Sequence, residues 1–213
     1  DRQTVLGIPN IKNWHQFNLR NDLYKLLNFE VFVENDANAA AWAEYRYGAA
    51  QGESNVIILT IGTGLGGGMV INGKLFRGAN GTGSEFGHMR VVPNGIPCGC
   101  GVDGCFERYA SGSGLMLHTK KLIDENPKGA RNLLERGDGT FAGLLGKHIT
   151  TAAIEGDLLA LEALKITGHW IGAGIATLAA ILDPSLVVIG GGVVEAGDRK
   201  STRLNSSHSQ QSR

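Results

Sequence analysis

The chain has few cysteines, no excess of either charge and no long hydrophobic run, and each lack closes off a class of protein. Three cysteines in 213 residues are an odd number and too few for a disulfide framework, which excludes a disulfide-stapled secreted domain. Twenty basic side chains balance twenty acidic ones and the pI is near 7.2, leaving no basic field for nucleic acid and no polybasic membrane patch. No run approaches the roughly 18 apolar residues of a spanning helix, and no charged-apolar-small leader stands ahead of the fold. The expectation is a cytoplasmic protein that deals with neither nucleic acid nor membrane.

What the chain has in excess is glycine. Its 32 glycines are about twice the usual ~7% of a globular chain. They cluster at Gly62 to Gly68, Gly78 to Gly87, Gly95 to Gly104 and Gly190 to Gly192, each beside a hydrophobic run, a pattern that brings backbone close to a ligand. With 42% hydrophobic and 19% charged residues there is material for a sizeable core.

The local patterns give an α/β class. FEVFVE, 29–34, reads as a buried strand that runs into the alanine-rich NDANAAAWAEYRYG, with Asn35 and Asp36 at its start and Gly48 at its end: strand, N-cap, helix, C-cap. NVIILTIG is a second buried strand, and MVINGKLF carries Asn72-Gly73 between apolar triplets, a strong hairpin signal. A long apolar segment, 157–182, is stopped by Asp183-Pro184, and LVVIGGGV makes one more strand ending in glycines. The closing KSTRLNSSHSQQSR is polar and without periodicity; it resembles translated cloning sequence, and 199–213 is set aside as a non-native tail without order.

All three cysteines fall within one short loop, ten residues after a histidine. His88, Cys98, Cys100 and Cys105 form an H-x9-C-x-C-x4-C set, the ligand complement of a closed, tetrahedral, structural zinc site. Three reduced cysteines beside a core histidine are the plain alternative. Gly62-Thr63-Gly64-Leu65-Gly66-Gly67 matches G-x-G-x-x-G, yet its glycines feed a second strand rather than opening a helix, which excludes the dinucleotide fold. Such a turn still offers backbone N–H groups and the Thr63 hydroxyl to a phosphate; a merely tight hairpin is the alternative. Asp36, at a helix start, suits a base held ionised or a plain N-cap. Glu85 and Glu107 flank the cysteine loop and come near His88 when it closes.

These motifs, ENDANAAAWAE, TIGTGLGGG, GSEFGHM, CGCGVDGCFERYASG and DPSLVVIGGG, in this order and spacing, resemble the ROK family (repressor, open reading frame, kinase), most of all its actinobacterial-type glucokinases. The resemblance covers essentially residues 1 to 198. It implies the two-lobed actin, Hsp70 and hexokinase-like (ribonuclease H-like) fold: 1–34 as a remnant of the small lobe, and 35–198 as the large lobe with a zinc loop at 85–107. It implies phosphorylation of glucose by ATP and magnesium. Asp36 would be the base that takes the proton of the sugar 6-hydroxyl, and Asn35, Glu85, His88, Glu107 and, from the small lobe, Asn10 would hold other hydroxyls. One His88 nitrogen would bind zinc while the other faces the sugar. Thr63 and Gly64 would meet the nucleotide phosphates, and Gly190, Gly191 and Gly192 would lie against adenosine. A homodimer would be usual. Other hexoses such as N-acetylmannosamine, and polyphosphate as donor, stay open, as does a sugar-sensing repressor of the same family. The Asp-x-Gly-Gly-Thr hairpin of such kinases is missing, so the expectation for this chain alone is zinc binding, weak sugar binding and slow or no turnover.

Overall fold

β1, Val56–Ile61, is apolar at every position but Thr60, and such a strand lies in the middle of a sheet covered on both faces. It does so in the computed structural model, which describes residue 4, residues 16–192 and the backbone of 202–205. β1 pairs antiparallel with β2, Leu65–Ile71, in the register Ile61↔Leu65 to Val56↔Val70. β3, Lys74–Phe76, returns along β2 through Asn72 and Gly73, whose φ angles of +50° and +72° are those of a type I′ turn. β4, Leu186–Gly190, runs parallel to β1. The sheet order is β3-β2-β1-β4-β5, with β5 formed by Thr202–Asn205.

Side chains alternate between faces, so β1 feeds two cores. Val56 and Ile58 join Ala41, Val70, Leu186 and Val188 on one face, under helix α2, Asp36–Tyr47. Ile57, Leu59 and Ile61 join Phe106, Leu178, Val187 and Ile189 on the other. That second face is covered by α3, Glu107–Ala110, and α7, Leu158–Leu182. A third cluster, around Leu115, Leu133 and Ile149, joins α4, Gly112–Glu125, α5, Arg131–Leu134, and α6, Gly146–Ile154, to α7. This sheet with helices on both faces has the expected α/β class.

Three expectations change. The stretch 29–34 is no strand: it is irregular, with Phe29 73% and Phe32 80% exposed. A strand needs a neighbour for its N–H and C=O groups, and among the described residues none lies beside it; helix α1, Leu19–Leu27, which precedes it, buries no residue either. Within the tail set aside as lacking order, Thr202–Asn205 forms β5, antiparallel to β4, because the open edge of β4 pairs with backbone of any sequence. Finally, α7 is long and apolar enough, with a mean hydropathy of 1.2 over 18 residues, to cross a membrane by length and composition. Here its Ala160, Ala163, Thr167, Gly174 and Leu178 are buried against the sheet and its neighbouring helices.

Candidate active site and metal centre

The cysteine loop is closed by its own backbone. Met89 accepts from Phe106 N (2.8 Å), Gly104 accepts from Val91 N (2.9 Å), and Ile96 accepts from Gly104 N (2.9 Å). A bridge pairs Arg90 with Cys105, so the chain next to His88 is pinned to the chain at the last cysteine. Gly104 has φ +78°, and a β-carbon there would collide with the Val92 carbonyl; only glycine fits. The result gathers His88, Cys98, Cys100 and Cys105 with one ligand atom each, all within 4.8 Å of one another.

These four fit a metal. Tetrahedral zinc with bonds of about 2.3 Å to sulfur sets neighbouring ligand atoms about 3.7 Å apart. The Cys100 and Cys105 sulfurs are 3.5 Å apart, and Cys98 Sγ is 3.7 Å from His88 Nδ1. Burial, and after it Glu107 and the other two thiols, push the Cys98 thiol up to about 12 against the pull of the Cys100 N–H. Burial likewise raises Cys105, whereas the Val102 N–H lowers Cys100. A metal-free cluster therefore keeps protons that a dication would displace. Cys98 holds one of them against Glu107, donating to Oε1 at 3.0 Å; once Cys98 is a thiolate that bond is lost and Glu107 is released. His88 turns Nδ1 to the cluster, and its side chain is 41% exposed, which leaves Nε2 for another partner.

The glycine turn does two jobs. Gly62 N donates to Gly64 O (3.0 Å), and the start of α4 docks on the turn, Gly112 N to Gly62 O at 2.8 Å and Ser113 Oγ to Thr63 O at 2.8 Å. Gly62, Thr63, Ser113, Lys147, Thr150 and Gly192 line a cavity of about 620 Å³. Gly64 faces elsewhere: a β-carbon on it would lie 2.9 Å from Glu107 Oε2. Of the three terminal glycines, Gly192 lines the cavity, whereas Gly191, at φ +102°, has its place because a β-carbon would crowd Ile61 N at 2.8 Å. Gly190 pairs with Thr60. Within β2, Gly66, Gly67 and Gly68 serve packing, since α2 rests on the first and third and Phe86 on the second.

Asn35 caps α2 by accepting from Asn38 N at 3.0 Å, and Asp36 Oδ1 accepts from Ala37 N at 2.8 Å. Both side chains stay at the exposed mouth of the helix. Glu85 starts the 3₁₀ turn Phe86–His88, its carbonyl accepting from His88 N at 3.0 Å. The structure thus brings His88, Glu107 and the cysteines into contact, sets Gly64 against Glu107, and leaves Asn35 and Asp36 on α2 across the sheet from His88. Asn10 lies outside the described residues. Ser113, Lys147 and Thr150 were not singled out in the sequence. They come from the starts of α4 and α6, and only the Ser-Gly-Ser-Gly of 111–114 hinted at backbone packed close to the turn.

The ROK family model matches residues 1–212. The glucokinase of Streptomyces coelicolor is 48% identical over 197 residues, which are 92% of this chain and 62% of that protein. The xylose repressor of Bacillus subtilis is 33% identical over 91% of this chain and 46% of its own length. Among solved structures, a ROK family glucokinase from Streptomyces griseus in complex with glucose and AMPPNP is 49% identical, with a TM-score of 0.83 over 92% of this chain and 62% of that one. The chain spans 62% of the Streptomyces glucokinases it matches. The α/β sheet agrees with these matches, and the chain belongs to the ROK family.

Proposed function

We propose that this chain is the large-lobe part of a hexokinase of the ROK family that phosphorylates glucose at its 6-hydroxyl with ATP. The observation that carries it is the meeting at Gly64: the turn that lines the cavity adjoins Glu107, and Glu107 touches the cysteine cluster. A nucleotide in the cavity and a sugar beside Glu107 would then be neighbours. The S. griseus relative, solved with glucose and AMPPNP, supports this pair of ligands.

In this scheme Asp36 accepts the proton of the attacking hydroxyl, aimed by the first turn of α2, and Asn35 holds an adjacent hydroxyl. Glu85, His88 and Glu107 grip the far side of the ring, with Asn10 reaching it from the small lobe. Ser113 and Lys147 join Thr63 and Gly192 around the nucleotide, the Lys147 ammonium answering phosphate charge. His88, Cys98, Cys100 and Cys105 would hold zinc, which would fix the imidazole so that the second His88 nitrogen is ready for the sugar before the sugar arrives. Magnesium would come with ATP and take up phosphate charge.

The test uses the complete gene product, because this chain spans 62% of the Streptomyces coelicolor glucokinase. Phosphorylation of glucose, mannose and N-acetylmannosamine is measured with ATP and with polyphosphate, beside Asp36→Asn. Turnover on glucose that falls by several orders of magnitude in Asp36→Asn is expected. Sugar binding without turnover would replace the kinase by a sensor akin to the xylose repressor.

A further inference from the structure

Glu34 and Arg77 have no role in the scheme above, yet they link its two halves. Arg77 follows β3 and gives two guanidinium nitrogens to Glu34 Oε2, Nε at 2.7 Å and Nη2 at 2.6 Å. The other oxygen of the same carboxylate, Oε1, accepts from the backbone N–H of Asn35 (3.1 Å) and from Asn38 Nδ2 (3.3 Å). Glu34 therefore faces the hairpin with one oxygen and the start of α2 with the other. The backbone of Arg77 is held as firmly: its carbonyl accepts from Gly83 N at 2.9 Å, closing the loop 77–83 just ahead of Glu85 and His88. A β-carbon on Gly83 would lie 2.7 Å from the Arg77 carbonyl carbon, so the loop closes at contact distance.

An exposed ion pair contributes little to stability. This one is only 28% and 26% exposed at its two side chains, and every acceptor oxygen of Glu34 is engaged. It joins segments 43 residues apart, one leading into Asn35 and Asp36 and the other into Glu85 and His88. Neither residue belongs to the sugar-contacting set.

We infer that Glu34 and Arg77 are a positioning pair that sets the spacing between Asn35–Asp36 and Glu85–His88 on either side of a bound hexose, which rests on the hexokinase proposal. Displacing one wall by an ångström is enough to cost about 10²-fold in rate. Lysine keeps the charge of Arg77 but cannot give two nitrogens in a fixed fork.

The experiment takes the complete gene product and compares Arg77→Ala, Arg77→Lys, Glu34→Gln and the Glu34→Gln/Arg77→Ala double variant. It measures kcat and KM for glucose, KM for ATP, and thermal unfolding. We expect kcat/KM for glucose to fall about 10²-fold in Arg77→Ala and Glu34→Gln, with KM for ATP within about two-fold of the parent. Arg77→Lys should recover part of the loss, and the double variant should be no worse than either single one. Glucose kinetics unchanged in both single variants, or losses that simply add, would overturn the proposal. So would equal losses for glucose and ATP, the mark of general unfolding; Arg77→Lys supplies that reading if Arg77→Ala fails to fold. A parent that is itself inert towards every hexose would refute the hexokinase reading, and this inference with it. An active parent with unaffected variants would refute only the inference.

Discussion

Replacing Gly68 by alanine should displace α2, the helix that carries Asp36. Gly68 lies in β2 opposite Ile58, and a β-carbon on it would overlap the methyl group of Ala41 and come within 2.9 Å of the Ala37 carbonyl oxygen. Both belong to α2, and one of them is the residue after Asp36. Carbon contacts settle at about 3.5 to 4.0 Å, so α2 must lift from the sheet by about 1 Å. Overpacking of this kind costs about 1 to 3 kcal/mol, which for a chain of this size is a fall in Tm of about 2 to 12 °C. On the proposed mechanism an Asp36 moved by that distance loses alignment with the sugar hydroxyl, and kcat on glucose should fall about 10- to 100-fold while KM for ATP holds. The assay is steady-state glucose phosphorylation by the complete gene product at a temperature well below the variant's Tm, with calorimetry on the same samples. If Tm falls as expected and kcat stays within two-fold, the placement of Asp36 does not depend on the contact of α2 with β2, and the reasoning fails.

Cys98→Ser should reduce bound zinc, counted by atomic absorption, from about one ion per chain to a small fraction, and chelation of the parent should lower its Tm towards that of the variant. Glu34 gives a pH dependence. Burial works to raise its carboxyl, but hydrogen bonds from Arg77, Asn35 and Asn38 outweigh this and hold it below the ordinary 4.5. A depressed carboxyl stabilises the fold above the unfolded value and stops doing so as pH falls through the folded one. The stability gap between parent and Glu34→Gln, read from urea midpoints, should thus be full at pH 6 and vanish as pH drops below 4.5. Phe106 is fully buried between the sheet and Gly174 of α7, so Phe106→Ala should destabilise by about 3 to 5 kcal/mol in denaturant titration and loosen the loop on either side of it.

The elements that were legible in the sequence are those whose cause is local. Asn72-Gly73 fixes its hairpin by φ alone, Asn35 caps α2 from its own side chain, and Asp183-Pro184 ends α7 whatever surrounds it. The gathering of His88 with the three cysteines was legible because few residues separate them along the chain. Where partners come from far along the chain the sequence was silent or misleading. The segment 29–34 has the pattern of a strand, but pattern cannot supply the strand beside it. Ser113, Lys147 and Thr150 carry no motif; they line the cavity only because α4 docks on Gly62 and Thr63 and α6 packs against α4. Arg77 looked like one surface charge among twenty basic residues until its partner 43 positions away was known.

The glycine run shows how two purposes share one signature. Gly62 lines the cavity, whereas Gly66, Gly67 and Gly68 are consecutive positions of a strand and so face its two sides in alternation. Gly66 and Gly68 admit Ala37 and Ala41 of α2 on one face, and Gly67 admits Ser84 and Phe86 on the other. A strand without side chains lets the wall that carries Asp36 and the wall that carries Glu85 and His88 both approach to backbone distance. Substitutions in the run should therefore separate by face. In Gly67→Ala the new methyl would meet the Ser84 carbonyl oxygen at 2.8 Å and press on the Phe86 ring. Glu85 and His88 would shift while α2 stayed. The expected result is a raised KM for glucose with kcat at saturating sugar close to the parent, the reverse of Gly68→Ala. Because the two methyls act on opposite faces, their effects should add in the double variant. If Gly67→Ala lowers kcat and leaves KM alone, the two walls are not independently mounted on β2, and the sugar site has some other frame.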